Sequence, residues 1–160
     1  MHKTIINLIE IEKEIYSKNL RGQSKVRIIA ISKTFSIDKI LPLVDHGHID
    51  FGENKVQEAV EKWTKLKATK SNIKLHMVGK LQTNKVKYAV KLFDYIHSLD
   101  SIKLAKKISE EQAKVKKDLK IFIQINIGNE NQKNGITIEE LPQFYKICKK
   151  DFNLNIVGLM

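Results

Sequence analysis

Short β-branched apolar runs alternate along the chain with amphipathic stretches of about ten to fifteen residues, and this alternation constrains the fold more than any other feature. Residues 25–32 (KVRIIAIS), 48–51, 73–78 (IKLHMV), 95–99, 120–127 (KIFIQINI) and 154–159 read as six strands. Most are apolar at successive positions, the pattern of strands covered on both faces. Ile5, Leu8, Ile11 and Ile15 share one face of a first helix, which ends before the Arg21-Gly22 break. Ser36 is placed to cap a helix over about 37–45, with Gly47 at its stop; Pro42 inside it is an irregularity the pattern does not explain. Further helices are expected over about 56–67, 84–92 and 101–117. A last one is marked by Ile138, Leu141, Phe144 or Tyr145, and Cys148.

Strands alternating with helices imply a parallel sheet with right-handed crossovers. Two architectures fit: an open doubly wound sheet of six strands, or a (β/α)8 barrel lacking two units. At 160 residues the chain has room for one domain. Its last strand stops at Met160 with no helix to cover it, so the C-terminus reads as a truncation. No apolar run approaches the roughly 20 residues of a membrane span. The N-terminus lacks a signal-peptide core, and the single cysteine, Cys148, excludes an internal disulfide. A cytoplasmic protein is the expectation.

The formal charge is +11, a balance that can mark nucleic-acid binding. Only Arg21 and Arg27 are arginines among the 29 basic residues, however, and the lysines are spread along helices. Base reading leans on the guanidinium fork, so a solvated basic surface fits better than specific nucleic-acid recognition.

Ligands collect at the carboxyl ends of strands in either architecture. There the sequence places Ser32-Lys33, Gly52-Glu53-Asn54, His76 with Gly79, His97-Ser98 and Asn126. Lys33 closes an apolar strand; in a partly desolvated pocket its amine would be poised to attack an aldehyde, and otherwise it is a surface lysine. His76 reads either as a packing residue or as an acid or base. The histidines show no metal-ligand spacing, and neither GxGxxG nor GxxxxGK[ST] occurs.

The segments IIAISKTFSIDKI (28–40), IDFGENKVQEAVEKW (49–63), LHMVGKLQTNKVK (75–87), FDYIHSLDS (93–101), IFIQINIGNENQKNGI (121–136) and VGLM (157–160) occur in this order. Together they resemble the pyridoxal 5′-phosphate (PLP) homeostasis proteins over nearly the whole chain. The FGEN motif and the H-x-[IV]-G-x-[LIV]-Q-x-N-K pattern are specific; Leu75 departs mildly, an aromatic being usual before that histidine. The resemblance implies an α/β fold, the TIM-type barrel of the alanine racemase N-terminal domain. Here it would be incomplete, about six βα units behind an N-terminal helix, with residues 1–160 forming one PLP-binding domain.

By the same resemblance, Lys33 holds PLP as an internal Schiff base, and Asn54, His76, Val78, Gly79, Ser98, Asn126 and Met160 line the cofactor pocket. The family is a PLP carrier and buffer with no established turnover; PLP-dependent apo-enzymes are the implied recipients, and no membrane partner is implied. Family members continue past GLM into two further βα units that grip the PLP phosphate. Without them, weaker PLP binding is expected, and open edges at strands one and six would make a protein that is monomeric when complete prone to associate. Two other readings stay open. One is a Schiff-base lysine enzyme, racemase-like or aldolase-like, with His76 as its acid or base. The other is a basic nucleic-acid-binding module.

Overall fold

The computed structural model describes residues 2–18, 26–128 and 134–160. The Arg21-Gly22 break, Lys25 and residues 129–133 of the 121–136 segment lie outside them. Helix α1 (Lys3–Lys18) precedes a regular alternation: β1 (Ala30–Ile31), α2 (Ile37–Asp45), β2 (Asp50–Glu53), α3 (Val56–Thr69), β3 (Lys74–Met77) and α4 (Val86–Leu92). It continues through β4 (Tyr95–Leu99), α5 (Ile102–Lys114), β5 (Lys120–Ile123), α6 (Leu141–Lys150) and β6 (Asn155–Leu159). A single 3-10 turn, Thr83–Lys85, leads into α4.

The six strands pair in parallel and in chain order, β1-β2-β3-β4-β5-β6. A doubly wound sheet reverses its strand order at a switch point; consecutive order is the winding of a (β/α)8 barrel. The sheet stays open, since β1 and β6 each pair with one neighbour among the described strands.

Alternation along the strands separates two faces. Phe51, Leu75, Met77, Ile96, Ile121 and Ile123 turn towards the helices and are buried with Ala59, Trp63, Ala89 and Ile108. Phe51 lies 4.9 Å from the Trp63 ring. The opposite face, the lumen of the open barrel, holds polar and aromatic groups together with Ile29, Ile31 and Val78.

Three strand boundaries and two helix details differ from the sequence pattern. The strand expected over 25–32 shortens to Ala30–Ile31, because β1 is an edge with β2 as its one partner, and Arg27 is engaged by Asp50 and Tyr95. The strand expected over 48–51 shifts to Asp50–Glu53, where Gly52 and Glu53 match His76 and Met77. β5 ends at Ile123, beyond which the Asn126 amide donates to the Ile136 carbonyl in a local bridge. Ser36 holds the cap position of α2 without a side-chain bond; its carbonyl accepts from Lys39 instead. Along α1 Leu8 alone is buried, and Ile11, expected on the same face, is exposed.

Candidate functional site

Parallel pairing brings the carboxyl ends of all six strands to one rim, so Lys33, Asn54, Val78, Gly79, Ser98, Asn126 and Met160 share one end of the sheet. His76 lies one step deeper, paired with Gly52 and Tyr95 inside the lumen.

Lys33 is the second residue of a four-residue turn closed by the Phe35 amide donating to the Ser32 carbonyl at 3.2 Å. Thr34, third in that turn, has φ +67°, a left-handed conformation that a β-branched residue rarely adopts. Below the turn, a Cβ built on Gly52 would come 2.6 Å from Ile31 Cδ1, 3.3 Å from Ile29 Cγ2 and 3.5 Å from Val78 Cγ1. Ile29, Ile31 and Val78 therefore meet in the lumen, and glycine at 52 makes room for them. Lys33 continues the phase of Ile29 and Ile31 at the rim. It is exposed rather than desolvated, the second of the two positions that the sequence left open for it.

Ser32 is fixed at each of its polar groups. Its amide donates to Gly52 O at 2.9 Å, its hydroxyl donates to Glu53 Oε1 at 2.7 Å, and its carbonyl accepts from Lys62 Nζ at 2.9 Å. Glu53 is fully buried, and the same Oε1 also accepts from Lys62 Nζ at 2.9 Å and from Trp63 Nε1 at 2.8 Å. A buried carboxylate persists only when paired and hydrogen-bonded; α3 supplies both partners from the consecutive residues Lys62 and Trp63.

The lumen contains a chain of polar side chains. Arg27 donates to both Asp50 oxygens, at 2.5 and 3.3 Å, and to Tyr95 Oη at 3.0 Å, which also accepts from Lys120 Nζ at 3.3 Å. Asp50 Oδ1 lies 3.0 Å from His76 Nε2, and His76 Nδ1 lies 2.9 Å from His97 Nε2. A carboxylate only accepts, so the His76 proton sits on Nε2, its Nδ1 accepts, and His97 donates from Nε2. Burial lowers the pKa of both rings: His97 falls to about 4, with His76 adding to the effect, while Asp50 partly offsets the fall at His76. Tyr95 stacks on His76 at 4.2 Å and Phe122 on His97 at 4.3 Å. With both nitrogens engaged by protein, His76 packs and bonds within the lumen. Of the two readings of His76, these bonds match the packing residue.

Ser98 is placed by a bulge. Ile96 pairs with Ile121 and Leu99 with Ile123, so β4 fits one extra residue between pairs that are two apart on β5. Ser98 is buried, and its hydroxyl has no hydrogen-bond partner among the described residues. The same is true of Asn54 Oδ1 and Glu53 Oε2. Gly79 follows Val78, whose amide donates to Glu53 O at 2.9 Å; a Cβ at Gly79 would lie 2.4 Å from the Asn54 carbonyl oxygen. Only glycine allows that approach. At the far side of the rim, Met160 donates to Ile123 O and accepts from Ile125 N, both at 2.9 Å.

The lumen partners Asp50, Arg27 and Tyr95 and the hub partners Lys62 and Trp63 were not legible as site residues. Asp50 and Tyr95 start strands, Arg27 lies just ahead of β1, and Lys62 and Trp63 are on α3, where no local motif links any of them to its partner. Among the described residues no group of three or more His, Cys, Asp or Glu side chains is placed to hold a metal ion, and no helix is long and apolar enough to cross a membrane.

Residues 6–160 match the alanine racemase N-terminal domain family, the class that the winding and the rim define. The pyridoxal phosphate homeostasis protein of Buchnera aphidicola is 38% identical, over all of this chain and 71% of its own length. That of Haemophilus influenzae is also 38% identical, over 97% of this chain and 66% of its own length. PipY of Synechococcus elongatus, solved with PLP bound, superposes with a TM-score of 0.68 at 29% identity, over 90% of this chain and 68% of that one. The chain belongs to the pyridoxal phosphate homeostasis protein family, and spans about two thirds of the length of these relatives.

Proposed function

We propose that residues 1–160 form a PLP-binding unit that holds the cofactor on Lys33 and takes part in PLP homeostasis in the cytoplasm, with PLP-dependent apo-enzymes as recipients. The observation that supports this most is the coincidence, at one rim, of an exposed lysine on a strained turn with two buried polar atoms, Asn54 Oδ1 and Ser98 Oγ, that have no partner among the described residues. Buried polar atoms cost free energy unless something satisfies them, so their position matches a polar ligand.

PLP brings an aldehyde that condenses with a lysine amine, releasing one water, and a pyridine ring that withdraws electrons. In this reading Lys33 supplies the amine, Asn54 and Ser98 supply polar contacts, and Gly79 lets the Asn54 backbone sit close against it at the rim. Val78, Asn126 and Met160 form the wall, and His76 supports it from below. A Schiff-base enzyme needs a proton donor or acceptor beside its lysine. The engagement of both His76 nitrogens argues for carriage over turnover.

The test is a titration of the chain with PLP followed by visible absorbance, in parallel with Lys33→Ala. A saturable visible band present only with Lys33 is expected. Identical, non-saturating spectra for both proteins would overturn the reading.

A further inference from the structure

Resting on the reading of Lys33 as the PLP amine, we propose that Glu53 and Lys62 are positioning residues for Lys33, acting through the Ser32 carbonyl and hydroxyl. Neither residue reaches the rim. Glu53 is fully buried on the helix side of β2, and the Lys62 side chain is almost so on α3. Their shared contact is Ser32, the residue immediately before Lys33.

The geometry is over-determined at this point. The Ser32 carbonyl oxygen accepts from Phe35 N, which closes the turn, and from Lys62 Nζ, which ties that turn to α3. The Ser32 hydroxyl donates to the carboxylate oxygen that also receives Lys62 Nζ and Trp63 Nε1. Two residues further on, Thr34 occupies the left-handed region. Such a conformation persists only where its surroundings enforce it, and conformations of this kind gather at functional sites. The Glu53–Lys62 pair is the enforcing element: it clamps the first residue of the turn from two directions, so the lysine between Ser32 and Thr34 has one direction of exit. A surface lysine with no task would need neither a strained turn nor a buried ion pair beneath it.

The pair can be removed without stranding a charge. In the double variant Glu53→Gln/Lys62→Met, the glutamine oxygen still accepts from Ser32 and Trp63, and the methionine fills the lysine stem's space, but the link to the Ser32 carbonyl is gone. Two measurements on the whole chain follow: amide hydrogen exchange of residues 33–35 without PLP, and the rate of borohydride-trapped PLP incorporation at Lys33. The expected result is a cooperatively folded variant in which those amides exchange about tenfold faster and incorporation at Lys33 slows by about tenfold or more. Thr34→Gly, which relieves the strain without touching the pair, is expected to keep slow exchange at Phe35 and incorporation within about twofold of the parent. If the double variant folds and both exchange and incorporation match the parent, the positioning role is wrong. If the double variant does not fold, the single variant Lys62→Arg, which keeps a donor towards Ser32 O, decides the matter. Incorporation near the parent's rate supports the role, and a loss as deep as that of Lys62→Ala overturns it. A parent that takes no PLP at Lys33 contradicts the functional reading instead, and the exchange measurement then tests the clamp by itself.

Discussion

His97 Nε2 donates to His76 Nδ1 across 2.9 Å inside the lumen, joining two rings that lie on adjacent strands and 21 positions apart in sequence. Because His76 is itself anchored on Asp50, the pair forms a directed chain with every proton assigned: His97 to His76 to the carboxylate. A second proton on either ring would break one of these bonds or place a cation among buried aromatic rings.

Stability therefore depends on pH in a defined window. The folded-state pKa of His97 is about 4 against an ordinary 6.5, so between those values the unfolded chain binds a proton that the folded chain does not. Stability is fully present above pH 6.5 and is lost as pH falls towards 4. One such histidine accounts for about 3 kcal/mol over the window, and His76, also lowered by burial, acts in the same direction. Urea unfolding at pH 7 and pH 4.5 should show this fall, and His97→Asn should flatten it. A parent curve that is level over the window would contradict the assignment.

Asp50 holds the chain from below. Asp50→Ala leaves His76 Nε2 without its acceptor and releases Arg27, and a hydrogen bond to a charged group is worth about 1.5–3 kcal/mol. A loss of about 2 kcal/mol in denaturant midpoint analysis is expected, with Arg27→Ala costing less because that side chain is half exposed. Equal costs would mean that Asp50 serves Arg27 rather than the histidines.

Ser98 separates stability from function. Its buried hydroxyl bonds to nothing among the described residues, and replacing an unsatisfied polar atom removes a penalty of about 1–3 kcal/mol. Ser98→Ala should be as stable as the parent or more so, by up to about 1 kcal/mol after the small loss of packing, yet bind PLP more weakly. A destabilised variant with unchanged PLP affinity would show that Ser98 serves the fold.

Gly79 is where backbone meets backbone. A Cβ there would lie 2.4 Å from the Asn54 carbonyl oxygen, closer than any relaxed contact allows. Gly79→Ala should cost about 1–3 kcal/mol and reduce PLP retention by moving Asn54. Thermal unfolding and equilibrium dialysis measure the two effects, and a neutral outcome in both would remove Gly79 from the site.

The winding was legible because strand and helix periodicities differ and each helix was long enough to show its face; β4, Tyr95–Leu99, and the start of α2 at Ile37 fall where the pattern puts them. Periodicity alone left barrel and doubly wound sheet open, since strand order depends on contacts far apart in sequence; the resemblance carried by the FGEN and H-x-[IV]-G-x-[LIV]-Q-x-N-K segments selected the barrel winding, and the strand order agrees. At the rim, Lys33, Asn54, Gly79 and Ser98 stand out as polar or small residues at the ends of apolar strands. Their support was invisible for a physical reason: Glu53, Lys62 and Trp63 converge only when α3 packs on β2, and Asp50, His76 and His97 only when three strands align. The exposure of Lys33 was left open between pocket and surface, because an apolar run says nothing about the turn that follows it.

The central claim is that this chain holds PLP on one lysine out of many. Borohydride treatment of the chain mixed with PLP, followed by peptide mapping, tests it most directly. The account predicts a reduced pyridoxyl group confined to Lys33 and absent from Lys33→Ala. Label scattered over the other lysines, and unchanged by that substitution, would contradict it.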